Sequence, residues 1–230
     1  MPVGHATWTV HPHEPIEELT PNLWRVEQRM NRSNVRVMVL ARLADDRVVV
    51  HSAIALDEPS MKRIDEWGEV AAILIPNRFH RQDARIWQER YPNAKVYAPS
   101  GAVSAAAKAT PVHGTYADAP HDATVVARDL AGIAESEGVL LVKGDGGASA
   151  IFCDTLLNLP KTGGLLGIML HPTGTLSVPR PTTLLFAKDK KALRADLEQI
   201  AAEVTRVVPG HGAVVDQNAP ERLREAAARL

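Results

Sequence analysis

Apolar residues recur along this chain at two spacings, and the switches between them mark the elements. Residues 23–26 and 35–43 are rich in aliphatic and β-branched side chains and read as strands, with Asn31-Arg32-Ser33-Asn34 between them as turn chemistry. Residues 47–52 form an apolar run that does not alternate, as expected of a strand buried on both faces. Met61, Ile64 and Trp67 then fall three apart and predict a helix with one buried face. Residues 71–76 predict another buried strand, and Ile86, Trp87 and Tyr91 the inner face of a second helix. A strand at 95–98 follows, then an alanine-rich turn with Ser100 as its N-cap. This alternation predicts α/β layering through residues 46–109.

The second half starts irregularly, through Pro111 and Pro120, and settles into strands at 138–142 and 150–154, joined by the hairpin loop Gly144-Asp145-Gly146-Gly147. Residues 158–182 are rich in Gly and Pro around an apolar patch at 165–170. A segment that long inside a compact domain is either a lid or a surface excursion. Leu193, Leu197, Ile200 and Val204 predict an amphipathic helix, and 207–209 a short strand. Asn218 with Glu221 predicts a capping box for the last helix, 220–230. One internal echo links 72–80 to 206–211: each is an apolar strand, a proline stop and a loop carrying histidine. No linker divides the chain, so residues 1–230 read as a single domain of two stacked units, with 1–20 as an N-terminal extension.

Charge narrows the partners. The 26 basic and 27 acidic residues nearly cancel, which leaves no global field to draw in nucleic acid or an anionic membrane. A small-molecule ligand or a protein is the expected partner, and a homo-oligomer stays open. Cys153 is the only cysteine, so no intrachain disulfide forms and a reducing cytoplasm suits the chain. Neither a signal peptide nor an uninterrupted apolar span is evident, which also points to a cytoplasmic location.

Chemistry in α/β folds collects at the carboxyl ends of strands. Three such ends carry suitable groups: His80 with Asp83, then Asp154, then His211. Asp154 follows Ile151-Phe152-Cys153 directly, so its charge needs a cation or several donors, unless it caps the next turn through Thr155. Strand alternation turns Cys153 the other way, as a core thiol. His211 lies between Gly210 and Gly212, which allow a sharp turn. His11 and His13 read as an exposed tail, and His51, His113, His121 and His171 carry no local motif. Nucleophile-elbow, P-loop and dinucleotide fingerprints are absent.

The order of these features resembles the metallo-β-lactamase fold superfamily over roughly residues 20–217. Residues 152–156, with Asp154-Thr155, resemble its G-D-T element. Gly210-His211 resembles its final G-H, and residues 85–100 the helix and strand after its metal loop. The resemblance implies a four-layer αββα sandwich, with two mixed sheets face to face and helices outside. It also implies a hydrolase-like site. The H-x-H-x-D-H ligand positions fall on Asn77, Phe79, Arg81 and Gln82, the middle histidine is replaced by residues 133–138, and the early acidic turn by Val50-His51-Ser52-Ala53. The P-N-x-x-H pattern with V-H-S is closer to a divergent bacterial branch of uncharacterised function.

Two accounts of the cleft follow. In one, a hydrolase of small esters, thioesters, lactones or phosphoesters uses at most one zinc or iron ion on His80, Asp154 and His211, with Glu135 or Glu137 as an added carboxylate. In the other, the metal is lost, Arg78 or Arg81 neutralises Asp154, and the cleft built from Asn77, His80, Arg81, Asp154 and His211 binds a small molecule or protein without catalysis. An arginine where the family has an aspartate favours the second.

Overall fold

The computed structural model describes residues 4–31, 34–170 and 172–230. The turn expected at Arg32 and Ser33, and His171, lie outside these. The first sheet takes its seven strands in chain order: β1 (Glu17–Thr20), β2 (Leu23–Asn31), β3 (Asn34–Arg42), β4 (Arg47–His51), β5 (Glu69–Leu74), β6 (Lys95–Ala98) and β7 (Gly114–Thr115). It is antiparallel up to β4 and parallel from there on. The parallel half needs crossovers, and α1 (Glu58–Trp67) and α2 (Ala84–Arg90) supply two of them. A short helix α3 (Val103–Ala106) precedes β7.

The second sheet contains β8 (Val125–Asp129), β9 (Gly138–Gly144) and β10 (Gly147–Ile151), with β12 (Arg206–Val208) parallel to β10 at one edge. Between them in sequence come β11 (Leu157–Asn158), α4 (Gly164–Met169) and α5 (Lys190–Glu203). β13 (His211–Gly212) pairs with β11, and α6 (Ala219–Ala228) closes the chain.

The three apolar clusters show why the layers stack. Val37, Val39 and Ala41 of β3 face Leu140 and Val142 of β9 and fill the space between the sheets. Met38 and Leu40, one residue out of step, face the other way and meet Met61, Ile64, Ile86 and Trp87 of the helices. Val139 and Ala150 of the second sheet pack on Leu193, Leu197 and Leu223 of α5 and α6. Helix, sheet, sheet and helix therefore follow in order, the αββα sandwich implied by the sequence.

Several local expectations are corrected. Asn218 adopts a left-handed conformation (φ 52°) and makes no side-chain cap bond, so the capping box with Glu221 does not form. Ser100 donates its backbone N–H and its hydroxyl to Asp129 rather than capping a helix. The strand expected at 150–154 stops at Ile151, which places Asp154 in a turn. The apolar patch at 165–170 forms α4, whose Leu165, Ile168 and Met169 are exposed. The N-terminal extension is not a tail throughout. Trp8 Nε1 donates to the Leu56 carbonyl at 2.8 Å, His13 accepts from the Asp57 N–H, and Ile16 is in the core. Among the described residues no helix is long and apolar enough to cross a membrane.

Candidate metal centre

Four strand ends on one rim of the sandwich build the site. β4 runs out at His51, and Ser52 follows in a left-handed conformation (φ 58°), a strained state for a residue with a side chain. β5 leads into the 75–83 loop, β10 into the 152–155 turn, and β12 into Pro209-Gly210-His211. The last two segments touch: a Cβ on Gly210 would lie 2.8 Å from Cys153 Cα, so only glycine lets the backbones approach this closely.

This convergence brings His80, Asp154 and His211 together. His211 Nε2 is 3.1 Å from Asp154 Oδ1, His80 Nε2 is 3.4 Å from the same oxygen, and the two Nε2 atoms are 3.3 Å apart. Each imidazole is held from behind. His211 Nδ1–H donates to the Val35 carbonyl at 2.6 Å, and His80 Nδ1 meets Ser52 Oγ at 2.9 Å. Both rings thus turn Nε2 toward Asp154, the orientation that outer partners impose on metal-binding histidines. The Asp154 side chain keeps 32% of its exposure, which opens the triangle to the cleft.

Asn77 and Glu137 hold the carboxylate in place. Asn77 Nδ2 donates to Asp154 Oδ2 at 2.8 Å and to Glu137 Oε2 at 3.0 Å. Its Oδ1 accepts the N–H groups of Phe79 and His80 and shapes the loop that carries His80. Glu137 is buried and accepts from the backbone N–H groups of Cys153, Asp154 and Thr155 in succession. These contacts fix the turn that displays Asp154.

The remaining expected groups divide. The Cys153 sulfur, expected to point away as a core thiol, lies within 4.8 Å of ligand atoms of both His80 and Asp154 while fully buried. Alternation no longer governs its direction because the strand has already ended. Asp83 turns away from the site, to Arg36 Nη2 at 2.6 Å and His5 Nδ1 at 2.5 Å. Gln82 accepts from Arg36, Arg81 donates to the Ala105 carbonyl, and Arg78 stacks on Phe79. Among the described residues, then, Asp154 faces two histidines and an amide, and neither Arg78 nor Arg81 neutralises it as the metal-free account expected. Glu135 is exposed, whereas Glu137 belongs to the site as a support. Of the supporting residues Ser52, Val35, Thr182 and Phe186, only Ser52 is marked in the sequence, by its place in V-H-S; the other three carry no local motif.

Electrostatics follow the geometry. Burial works to raise Asp154, yet His80 and His211 hold its carboxyl well below the usual range. Burial works to lower His211, but the Asp154 carboxylate raises it. Burial dominates at His80 and lowers it. Burial and the nearby Asp154 charge push Glu137 up to about 7, against the pull of its N–H donors. His51, whose Nε2 has no hydrogen-bond partner among the described residues, is driven down to about 3 by burial and by His80.

Solved structures of the same architecture span nearly the whole chain. A structure of the metallo-β-lactamase FIM-1 from Pseudomonas aeruginosa in its mono-zinc form matches with a TM-score of 0.60, covering 97% of this chain and 98% of that one at 14% identity. The chain has the metallo-β-lactamase fold. A structure of the DIM-1 metallo-β-lactamase exposed to ceftazidime agrees, with a TM-score of 0.64, 14% identity, and coverage of 96% of this chain and 99% of that one. No protein-family model and no curated protein matches the sequence. Within this metallo-β-lactamase fold, Asn77 and Arg81 do work other than ligation, as the contacts above show.

Proposed function

We propose that the chain is a hydrolase of a small ester, thioester, lactone or phosphoester that works with a single zinc or iron ion held by His80, Asp154 and His211. The size of the triangle carries this reading. Donor atoms about 2.0–2.1 Å from a tetrahedral ion lie about 3.3–3.4 Å from one another, and the three edges measure 3.1, 3.3 and 3.4 Å. The Cys153 sulfur, within 4.8 Å of ligand atoms of His80 and Asp154, is a candidate fourth donor. When bound, such an ion supplies Lewis acidity, polarising a carbonyl or phosphoryl oxygen and activating a water.

The chain's own residues do the rest. Ser52 and the Val35 carbonyl aim the imidazoles. Asn77 engages Asp154 Oδ2 and leaves Oδ1 for the histidine side. Phe79 and Phe186, edge to face at 6.0 Å, line the pocket and give it one apolar wall. Thr182 ties the end of the long 158–182 segment to the Asp154 carbonyl, which supports a lid role for that segment.

The second reading, a metal-free cleft that binds a small molecule or protein, draws support from the same triangle, since a proton on His211 Nε2 also satisfies Asp154. Metal analysis of protein purified without added zinc separates the two. A stoichiometric ion lost in Asp154→Asn, with a lower melting temperature after chelation, is the expected result. No metal and no chelator effect would sink the hydrolase reading.

A further inference from the structure

The pocket that reaches Asp154 is small, about 40 Å³, and it is lined by Asn77, Phe79, Ile133 and Phe186 among others. That is room for a few waters. A second concavity of about 330 Å³ adjoins it, and the two share Arg78, Ser136 and Phe186. The larger bowl has a distinct chemistry. Arg78, Arg81 and Lys108 line it, with no carboxylate.

Each cation is placed by a different element. Arg81 is anchored by its bond to the Ala105 carbonyl in α3, which fixes the guanidinium plane while other N–H groups stay available. Arg78 rests on the Phe79 ring, 5.1 Å from its centroid, so its stem is held over the shared wall. Lys108 follows α3 and is exposed. Three cations share this concave wall and none of its described lining residues is an acid, so an anion entering it relieves their mutual repulsion. The whole chain carries a formal net charge of −1, so this concentration of positive charge is local.

Resting on the hydrolase reading above, we propose that the bowl is an anion subsite. It takes the carboxylate or phosphate of a substrate whose reacting carbonyl or phosphoryl group lies at the triangle and whose apolar stem passes Phe79 and Phe186. The substrate class is therefore an anion-bearing ester, thioester or phosphoester rather than a neutral one.

The test uses chelator-treated protein, so that binding is read apart from turnover. Benzoate, phenyl phosphate and neutral benzyl alcohol are titrated calorimetrically into the native chain and into the double variant Arg78→Gln/Lys108→Gln. Both changed residues are exposed, and circular dichroism checks the fold. At least one anion is expected to bind about tenfold or more tighter than benzyl alcohol, a preference weakened by salt and lost in the double variant. Which anion wins distinguishes a carboxylate from a phosphate substrate. Equal binding of benzyl alcohol, or a preference that survives the double variant, overturns the subsite. Zinc-loaded protein is then assayed on a neutral aryl acetate and its succinate analogue. If neither is hydrolysed while the anion preference holds, the hydrolase reading fails and the subsite stands.

Discussion

Asn77→Asp exchanges one atom at the centre of the site. The retained Oδ1 keeps the acceptor contacts to the Phe79 and His80 N–H groups, so the loop retains its turn, and only the Nδ2 donor is lost. In the native chain that donor reaches two carboxylates, Asp154 at 2.8 Å and Glu137 at 3.0 Å. Hydrogen bonds to charged groups contribute about 1.5–3 kcal/mol each, so losing both lowers stability by about 3 kcal/mol or more before repulsion is counted. Three carboxyl groups then crowd one another, and the new side chain takes up a proton that the unfolded chain has released above a pH of about 3.9. Its folded pKa is raised, so the variant loses further stability as pH rises from that value through the raised one. Urea unfolding of chelated protein, followed by tryptophan fluorescence at pH 8 and pH 5.5, tests this. The variant should fall well short of the native chain at pH 8 and approach it at pH 5.5. Native stability at pH 8, or a wider gap at pH 5.5, would refute the bridging role of Asn77.

Two further outcomes follow from buried groups that are not themselves proposed ligands. The unfolded chain charges His51 below a pH of about 6.5, whereas the fold keeps it neutral down to about 3, so stability is withdrawn as pH falls through that window. His51→Met should remove about 2 kcal/mol of that loss between pH 7 and pH 5, and an unchanged slope in paired denaturant titrations would count against it. Arg36→Met leaves the buried Asp83 carboxylate without its guanidinium partner at 2.6 Å. Thermal and urea denaturation should show a loss of about 3–5 kcal/mol, largely recovered when Asp83→Leu is added; an additive double variant would contradict the pairing.

Much of the architecture is legible in the sequence because burial on both faces leaves a mark. The unbroken apolar runs in β4 and β5 and the spacing of Leu193, Leu197 and Ile200 in α5 each state a face to be covered. Chain ends and caps are less legible. Asn218 has the right residue type for a cap, but its left-handed backbone removes the geometry. At the site, the three candidate ligands could be picked out from where their strands end. The role of Glu137 could not, since nothing local reveals that its carboxylate will collect three successive N–H groups from a turn sixteen to eighteen residues away in sequence. Arg81 misled for a related reason: its charge is visible in the sequence, but the α3 carbonyl that captures it is not.

The Asn77 bridge also bears on how this site could change over generations. A histidine at position 77 carries at most one hydrogen on each ring nitrogen and could not reproduce the amide's two donations from one atom, so it would give up a contact to Asp154 or to Glu137. The exchange would loosen the Asp154 carboxylate before it brought any new contact to the site. A paired exchange at positions 77 and 137 avoids that loss, so the bridge ties the two positions together and single substitutions at either one are disfavoured.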